Sequence, residues 1–253
     1  MTPVHVENAE AFEIVTGADP RILLLCEHAS LRLPPPWNWP QEDAWIVGTH
    51  WSIDLGAREL TLGLAAELDA SAVLTRFSRL LIDANRPPDS ATLLRNEAEG
   101  RRVHLNHGVN DDERAQRLRD CYHPYHRRID SFLEARPQAV ILSLHTFTPV
   151  YEGTTRDLEV GVLFNREAEL GRRFAQVIGE QGWQCALNEP YSGADGFAFS
   201  PELHGERHRR TWLELEIRQD IAVDETRRAQ ILAAIVAATR ATLLPPAPPT
   251  RSS

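Results

Sequence analysis

ILLLCEH, residues 22–28, is an apolar run that stops at a histidine, and AVILSLH, residues 139–145, repeats the pattern. Each run is too short for a buried helix and is bounded by polar residues, so each reads as a buried strand. In α/β proteins, ligands gather at the carboxyl edge of such strands. Two imidazoles, His28 and His145, delivered to one edge make a metal centre the first chemistry to test. The chain has ten histidines, and a lone histidine is more often a hydrogen-bonded structural residue than a ligand. The pairing at strand ends is what raises these two.

Around these runs the pattern alternates. DLGARELTLGLAAELD (54–69) has apolar residues at helical spacing and opens on an aspartate, which suits a helix dipole. Short strands are expected at 72–74, 80–82, 158–164, 184–188 and 212–217. Helices are expected over 112–135, renewed at Pro124 as a first-turn proline, and over 168–180 and 225–244. Residues 1–20 read as a lead-in, and the polar stretch 87–110 as an excursion able to cover a site. No internal repeat or linker divides the chain. The expectation is one α/β domain over residues 1–245, a mostly parallel mixed sheet with helices on both faces, and a disordered Pro-rich tail over 246–253.

Composition narrows the function. With 42% hydrophobic and 25% charged residues, the chain is ordinary for a soluble globular protein. Its formal net charge of −9 argues against nucleic acid or an anionic membrane as the main partner. No apolar stretch reaches the length of a membrane span and no signal-peptide pattern opens the chain. The three cysteines, Cys26, Cys121 and Cys185, have neither disulfide-framework nor thiolate-zinc spacing. These features point to a cytoplasmic protein. Nothing in the pattern specifies an oligomer.

A catalytic zinc takes three protein ligands and keeps one position open. Candidates for the third are Glu27, His50 and Asp54. Strand alternation turns Glu27 away from His28. His50 and Asp54 lie four apart near a helix start, although Asp54 also reads as a helix cap and His50 as a loop residue on Trp51. Asp83, Asn85 and Arg86 follow an apolar strand in LIDANRPPD. Arg with Asn can hold a carboxylate, and the same residues also read as a turn. In LELEIRQD, Glu214 and Glu216 share one strand face. A glutamate there can serve as general base beside an activated water, or can face solvent on an edge strand.

Taken together, CEHAS (26–30), HWSIDLGA (50–57), SRLLIDANRP (78–87), YHPYH (122–126), SLHTFTPV (143–150), GVLFNR (161–166), NEPYSG (188–193) and LEIRQD (215–220) resemble the N-formylglutamate amidohydrolase family. The resemblance runs from about Ile22 to Asp220. It implies a zinc carboxypeptidase-like (phosphorylase/hydrolase-like) fold, one Zn2+ per chain and cleavage of N-formyl-L-glutamate to formate and glutamate. DANR resembles the carboxypeptidase segment that binds the substrate carboxylate, which implies that role for Asn85 and Arg86. SLHTF implies His145 as a zinc ligand, LEIR implies Glu216 as the catalytic glutamate, and Tyr191 parallels a mobile carboxypeptidase tyrosine. Carboxypeptidases place a glutamate three residues after the first histidine, whereas this chain has Leu31 there. The expected ligand set is therefore His28, Asp54 and His145, with His50 as the alternative. Arg79, Arg76 and Arg166 are candidates for a second substrate carboxylate. The rival readings are a deacylase or carboxypeptidase of other N-acyl amino acids or peptides, and an inactive small-molecule-binding protein on the same scaffold.

Overall fold

The computed structural model describes residues 5–151 and 153–244, so the expected tail over 246–253 lies outside the described residues. The main sheet has eight strands: β1 (His5–Asn8), β2 (Phe12–Thr16), β3 (Asp19–Cys26), β4 (Ala70–Thr75), β5 (Val140–Phe147), β6 (Val160–Leu163), β7 (Cys185–Leu187) and β8 (Trp212–Arg218). Their spatial order is β1-β2-β4-β3-β5-β8-β6-β7. The four central strands, β4, β3, β5 and β8, run parallel. Antiparallel pairs flank them at β2–β4 and β6–β8. The sheet is mixed with a parallel centre, in agreement with the expected fold class.

Both faces are covered. On one, Ile22, Leu24, Leu142, Leu144, Leu213 and Leu215 pack in a core shared with α1 (Ala57–Leu68), α4 (Ala168–Glu180) and α7 (Glu225–Thr242). On the other, Leu23, Leu25 and Ile141 pack with Tyr125, Ile129 and Phe132 of α3 (His123–Ala135). Strand alternation therefore sends Glu27, Ser143, His145, Glu214 and Glu216 to the second face, near the carboxyl ends of β3, β5 and β8. The helix expected over 112–135 is built as α2 (Asp111–Arg117), a π-helical stretch Leu118–Tyr122 and α3, with Pro124 in the first turn of α3.

Three expectations are corrected. Residues 1–20 are not a bare lead-in, because β1 and β2 extend the sheet. Leu80–Ile82 is not a strand. The run is buried as expected, but side chains satisfy its carbonyls: Asn106 Nδ2 donates to Leu80 O (2.8 Å) and Arg117 Nη1 to Leu81 O (2.9 Å). Burial with side-chain partners replaces a ladder. Finally, the helix does not open on Asp54. It begins at Ala57 behind Gly56 (φ 83°), which leaves the Asp54 carboxylate free for other contacts. Beyond the expected elements stand α5 (Phe199–His208) and α6 (Gln219–Val223). No helix among the described residues is long and apolar enough to cross a membrane.

Candidate active site

His28 leaves the end of β3, Asp54 sits in the turn before α1, and His145 lies on β5. All three are buried. His28 Nδ1, His145 Nδ1 and Asp54 Oδ2 form a triangle with sides of 3.2, 3.1 and 2.9 Å. Donors placed tetrahedrally ~2.0–2.1 Å from one ion stand roughly 3.3 Å apart, so this spacing suits a shared metal.

The far ring nitrogens strengthen the fit. His28 Nε2 is 2.8 Å from Asp83 Oδ1, and His145 Nε2 is 3.0 Å from Glu27 Oε2. An ionised carboxylate only accepts, so each imidazole places its N–H on Nε2. A cation in place of an Nδ1 proton would then meet two Nδ1 lone pairs and the Asp54 oxygen. A carboxylate behind each ligating histidine is the usual support of such a site. Strand alternation turns Glu27 from His28. That same alternation carries it under His145, where it also accepts from Ser143 Oγ at 2.6 Å.

The charges follow. Burial alone would raise Glu27, but the His145 bond and charge and the Ser143 hydroxyl outweigh it and bring its pKa down to about 2. Asp83 is likewise held well below the carboxylate range by His28 and Arg79 against the cost of burial, and Asp54 is held low by His28, His145 and Arg79. Burial disfavours a charged His145, yet Glu214, Asp54 and Glu27 hold its pKa well above the usual imidazole value. Glu214 and Glu216, on β8, behave oppositely: burial pushes Glu214 up to about 7 and Glu216 well above its ordinary value. Glu216 lies opposite His145 in the strand register. Its Oε2 is buried with no hydrogen-bond partner.

These groups open into one cleft lined by both polar and apolar side chains. His28, Asp54, His145 and Glu216 form the floor, and Tyr191, Phe197 and Phe147 stand on one side. The Tyr191 ring stacks on Phe197, with its hydroxyl 3.5 Å from Arg156 Nη1. Arg86 lies over the Phe197 ring and donates to Asn85 O (2.8 Å).

Several expected residues have other duties. Asn85 borders the cleft, but its amide donates to Phe197 O and Glu214 Oε2 and accepts from Ser200 N. Arg79 spans Asp54 Oδ1 (3.2 Å) and Asp83 Oδ2 (3.0 Å), so it holds the chain's own carboxylates. Arg76 bonds Ala9 O and Arg166 pairs with Glu206, and neither lines the cleft. His50 does not join the triangle; it is on the rim against Trp51. Sequence reasoning missed Arg95, which lines the cleft over Trp51 (5.1 Å). It lies in the polar excursion, where no periodicity marks it. Arg86 and Arg95 are the cleft guanidinium groups unpaired with an acidic side chain among the described residues.

The chain is similar to known proteins over most of its length. The chain matches a solved structure of gene product Atu2144 from Agrobacterium tumefaciens with 28% identity and a TM-score of 0.86, over 93% of this chain and 95% of that one. It also matches an N-formylglutamate amidohydrolase from Ralstonia eutropha JMP134 with 15% identity and a TM-score of 0.69, over 92% and 99%. A metallo-carboxypeptidase from Burkholderia cenocepacia is more distant, with 14% identity and a TM-score of 0.43 over 94% and 64%. No curated protein matches. The family model for N-formylglutamate amidohydrolase matches residues 21–223, most of the chain. The chain belongs to the N-formylglutamate amidohydrolase family.

Proposed function

We propose that this amidohydrolase cleaves the N-acyl amide of an N-formyl amino acid, with N-formyl-L-glutamate as substrate and formate and L-glutamate as products. We assign His28, Asp54 and His145 as the ligands of one zinc ion in the cleft. Two imidazoles and one carboxylate suit zinc. When bound, the ion supplies Lewis acidity: water beside it ionises near neutral pH and an acyl oxygen is polarised.

The observation that carries the reading is the unpartnered Glu216 Oε2 beside the triangle. A buried carboxyl without a protein partner costs stability, so its partner comes from the reaction. Glu216, whose ionised form the charge of the bound ion would favour, accepts a proton from the attacking water as the oxygen bonds to the formyl carbon. It then passes that proton to the amide nitrogen as the carbon–nitrogen bond breaks. Arg86, fixed by the Asn85 carbonyl, takes one glutamate carboxylate as a fork. Arg95 takes the second, and Tyr191 stands against Phe197 on the wall that carries Arg86. Asn85 holds the Arg86 loop against Phe197 and Ser200.

The test is a substrate panel of N-formyl, N-acetyl and dipeptide derivatives, followed by formate release. Formate from N-formyl-L-glutamate should outpace the other acyl releases by at least tenfold, and Arg95→Met should raise KM for the dicarboxylate more than for N-formylalanine. Equal rates across acyl groups would replace the assignment with a general deacylase. No hydrolysis by zinc-loaded protein would leave a binding protein.

A further inference from the structure

A second histidine cluster lies outside the cleft. His204 and His208 are four apart on α5 and so share a face, and Asp130 of α3 meets both. Asp130 Oδ1 is 2.8 Å from His204 Nδ1 and 2.8 Å from His208 Nε2. The donor atoms of the three residues lie within 4.8 Å of one another, and none of the three lines the cleft. The His204 side chain is fully buried, while His208 retains 11% exposure and Asp130 18%. An ion could therefore enter from the surface. Arg207 occupies the other Asp130 oxygen.

Behind His204 stands His126, the last residue of YHPYH, a segment without a part in the proposed reaction. It is buried, its Nδ1 is 2.9 Å from His204 Nε2, and its Nε2 has no partner. Two neutral imidazoles carry two protons. If His126 donates to His204 and His204 to Asp130, the short contacts are all hydrogen bonds; His126 Nε2 is without a partner in this arrangement and in the alternative alike. If the protons sit on the two Nε2 atoms, His204 donates to His126 and presents a bare Nδ1 to the Asp130 carboxylate. That second arrangement needs a cation at Nδ1. It also puts a hydrogen-bonded neighbour behind a ligating imidazole, the support metal-bound histidines normally have.

We propose that Asp130, His204 and His208 form a second divalent-cation site of the zinc type, clamping α3 to α5. Two imidazoles and one carboxylate oxygen suit Zn2+, with water completing the shell. The site has a consequence for the cleft. Asn85 accepts from Ser200 N at the start of α5 and donates to Phe197 O just before it. Fixing the far end of α5 to α3 steadies the helix that holds the Arg86 loop.

The test is zinc stoichiometry of the full chain, stripped with chelator and dialysed against buffered Zn2+. Wild type should bind two Zn2+ per chain, His208→Ala and His208→Gln one, and His28→Ala one. Zn2+ should still raise the melting temperature of His28→Ala by several degrees, and should not raise that of the His28→Ala/His208→Ala double variant. His208 lies near the surface, so its substitutions spare the core, and wild type against the two His208 variants decides the matter even where His28→Ala does not fold. Identical stoichiometry in wild type and both His208 variants would overturn the proposal. One ion in wild type, lost on His208 substitution and kept in His28→Ala, would keep it and instead remove the zinc assigned to the cleft.

Discussion

The triangle of His28, His145 and Asp54 is held from behind by Asp83 and Glu27 and from the cleft by Arg79. Asp83 and Glu27 fix which nitrogen of each imidazole is bare, and Arg79 ties Asp54 to Asp83. Asp83→Asn, which keeps the shape and loses the charge, should therefore weaken zinc binding by about 10–100-fold, measured by chelator competition. His145 has a raised pKa in the metal-free protein, so zinc must displace a proton there. Affinity should fall by up to about tenfold per pH unit on acidification, and zinc titrations in two buffers of different ionisation enthalpy should report proton release. Glu216 is a separate matter. Glu216→Gln should lower kcat by about 10²–10⁴-fold while zinc stoichiometry stays unchanged. Loss of zinc in that variant would make Glu216 a ligand and end its role as base.

At the level of elements, the short apolar runs were legible because burial on both faces leaves a continuous hydrophobic signature. LLI at residues 80–82 carries the same signature without being a strand, since hydropathy reports burial and not who supplies the hydrogen bonds. Arg117 is the hidden partner: its guanidinium also reaches Leu105 O (2.9 Å) and Asn106 Oδ1. Replacing it with methionine should cost about 3 kcal/mol in urea unfolding, because buried carbonyls lose their donors. Asp54 was legible as a ligand candidate but misread as a helix start. The missing clue was Gly56, whose positive φ makes the turn and whose hydrogen faces Ala222; an added Cβ would lie 2.6 Å from that residue. Gly56→Ala should destabilise the fold by about 2 kcal/mol or more. It should also weaken zinc binding, since Asp54 is two residues away, and a calorimetric titration would read both effects.

Across the whole molecule, the parallel centre was readable, and with it the polar residues that β3, β5 and β8 bring to one edge. Arg95 and the outer strands β1 and β2 were not, because their positions depend on long-range packing that no local pattern encodes. The same topology gathers five carboxyl groups, Glu27, Asp54, Asp83, Glu214 and Glu216, on the buried side of the sheet, and their titrations divide. Glu27, Asp54 and Asp83 have lowered pKa values, so their stabilisation is present above about pH 4 and is lost in acid. Glu214 is shifted the other way, to about 7. In the folded chain its neutral form is favoured, so the stability it contributes is full below the unfolded value near 4.5 and is lost as pH rises through 7. Histidines of the unfolded chain titrate near pH 6.5, which is why Glu214 is isolated by a difference rather than by a single curve. In metal-free protein, the unfolding free energy of wild type minus that of Glu214→Gln should fall between pH 5 and pH 8 and level off above. The Gln side chain keeps the bond to Asn85 Nδ2 through its carbonyl oxygen. A difference that stays flat across that range would mean that Glu214 is already ionised in the folded chain at pH 5, with its charge balanced by His145 rather than suppressed by burial.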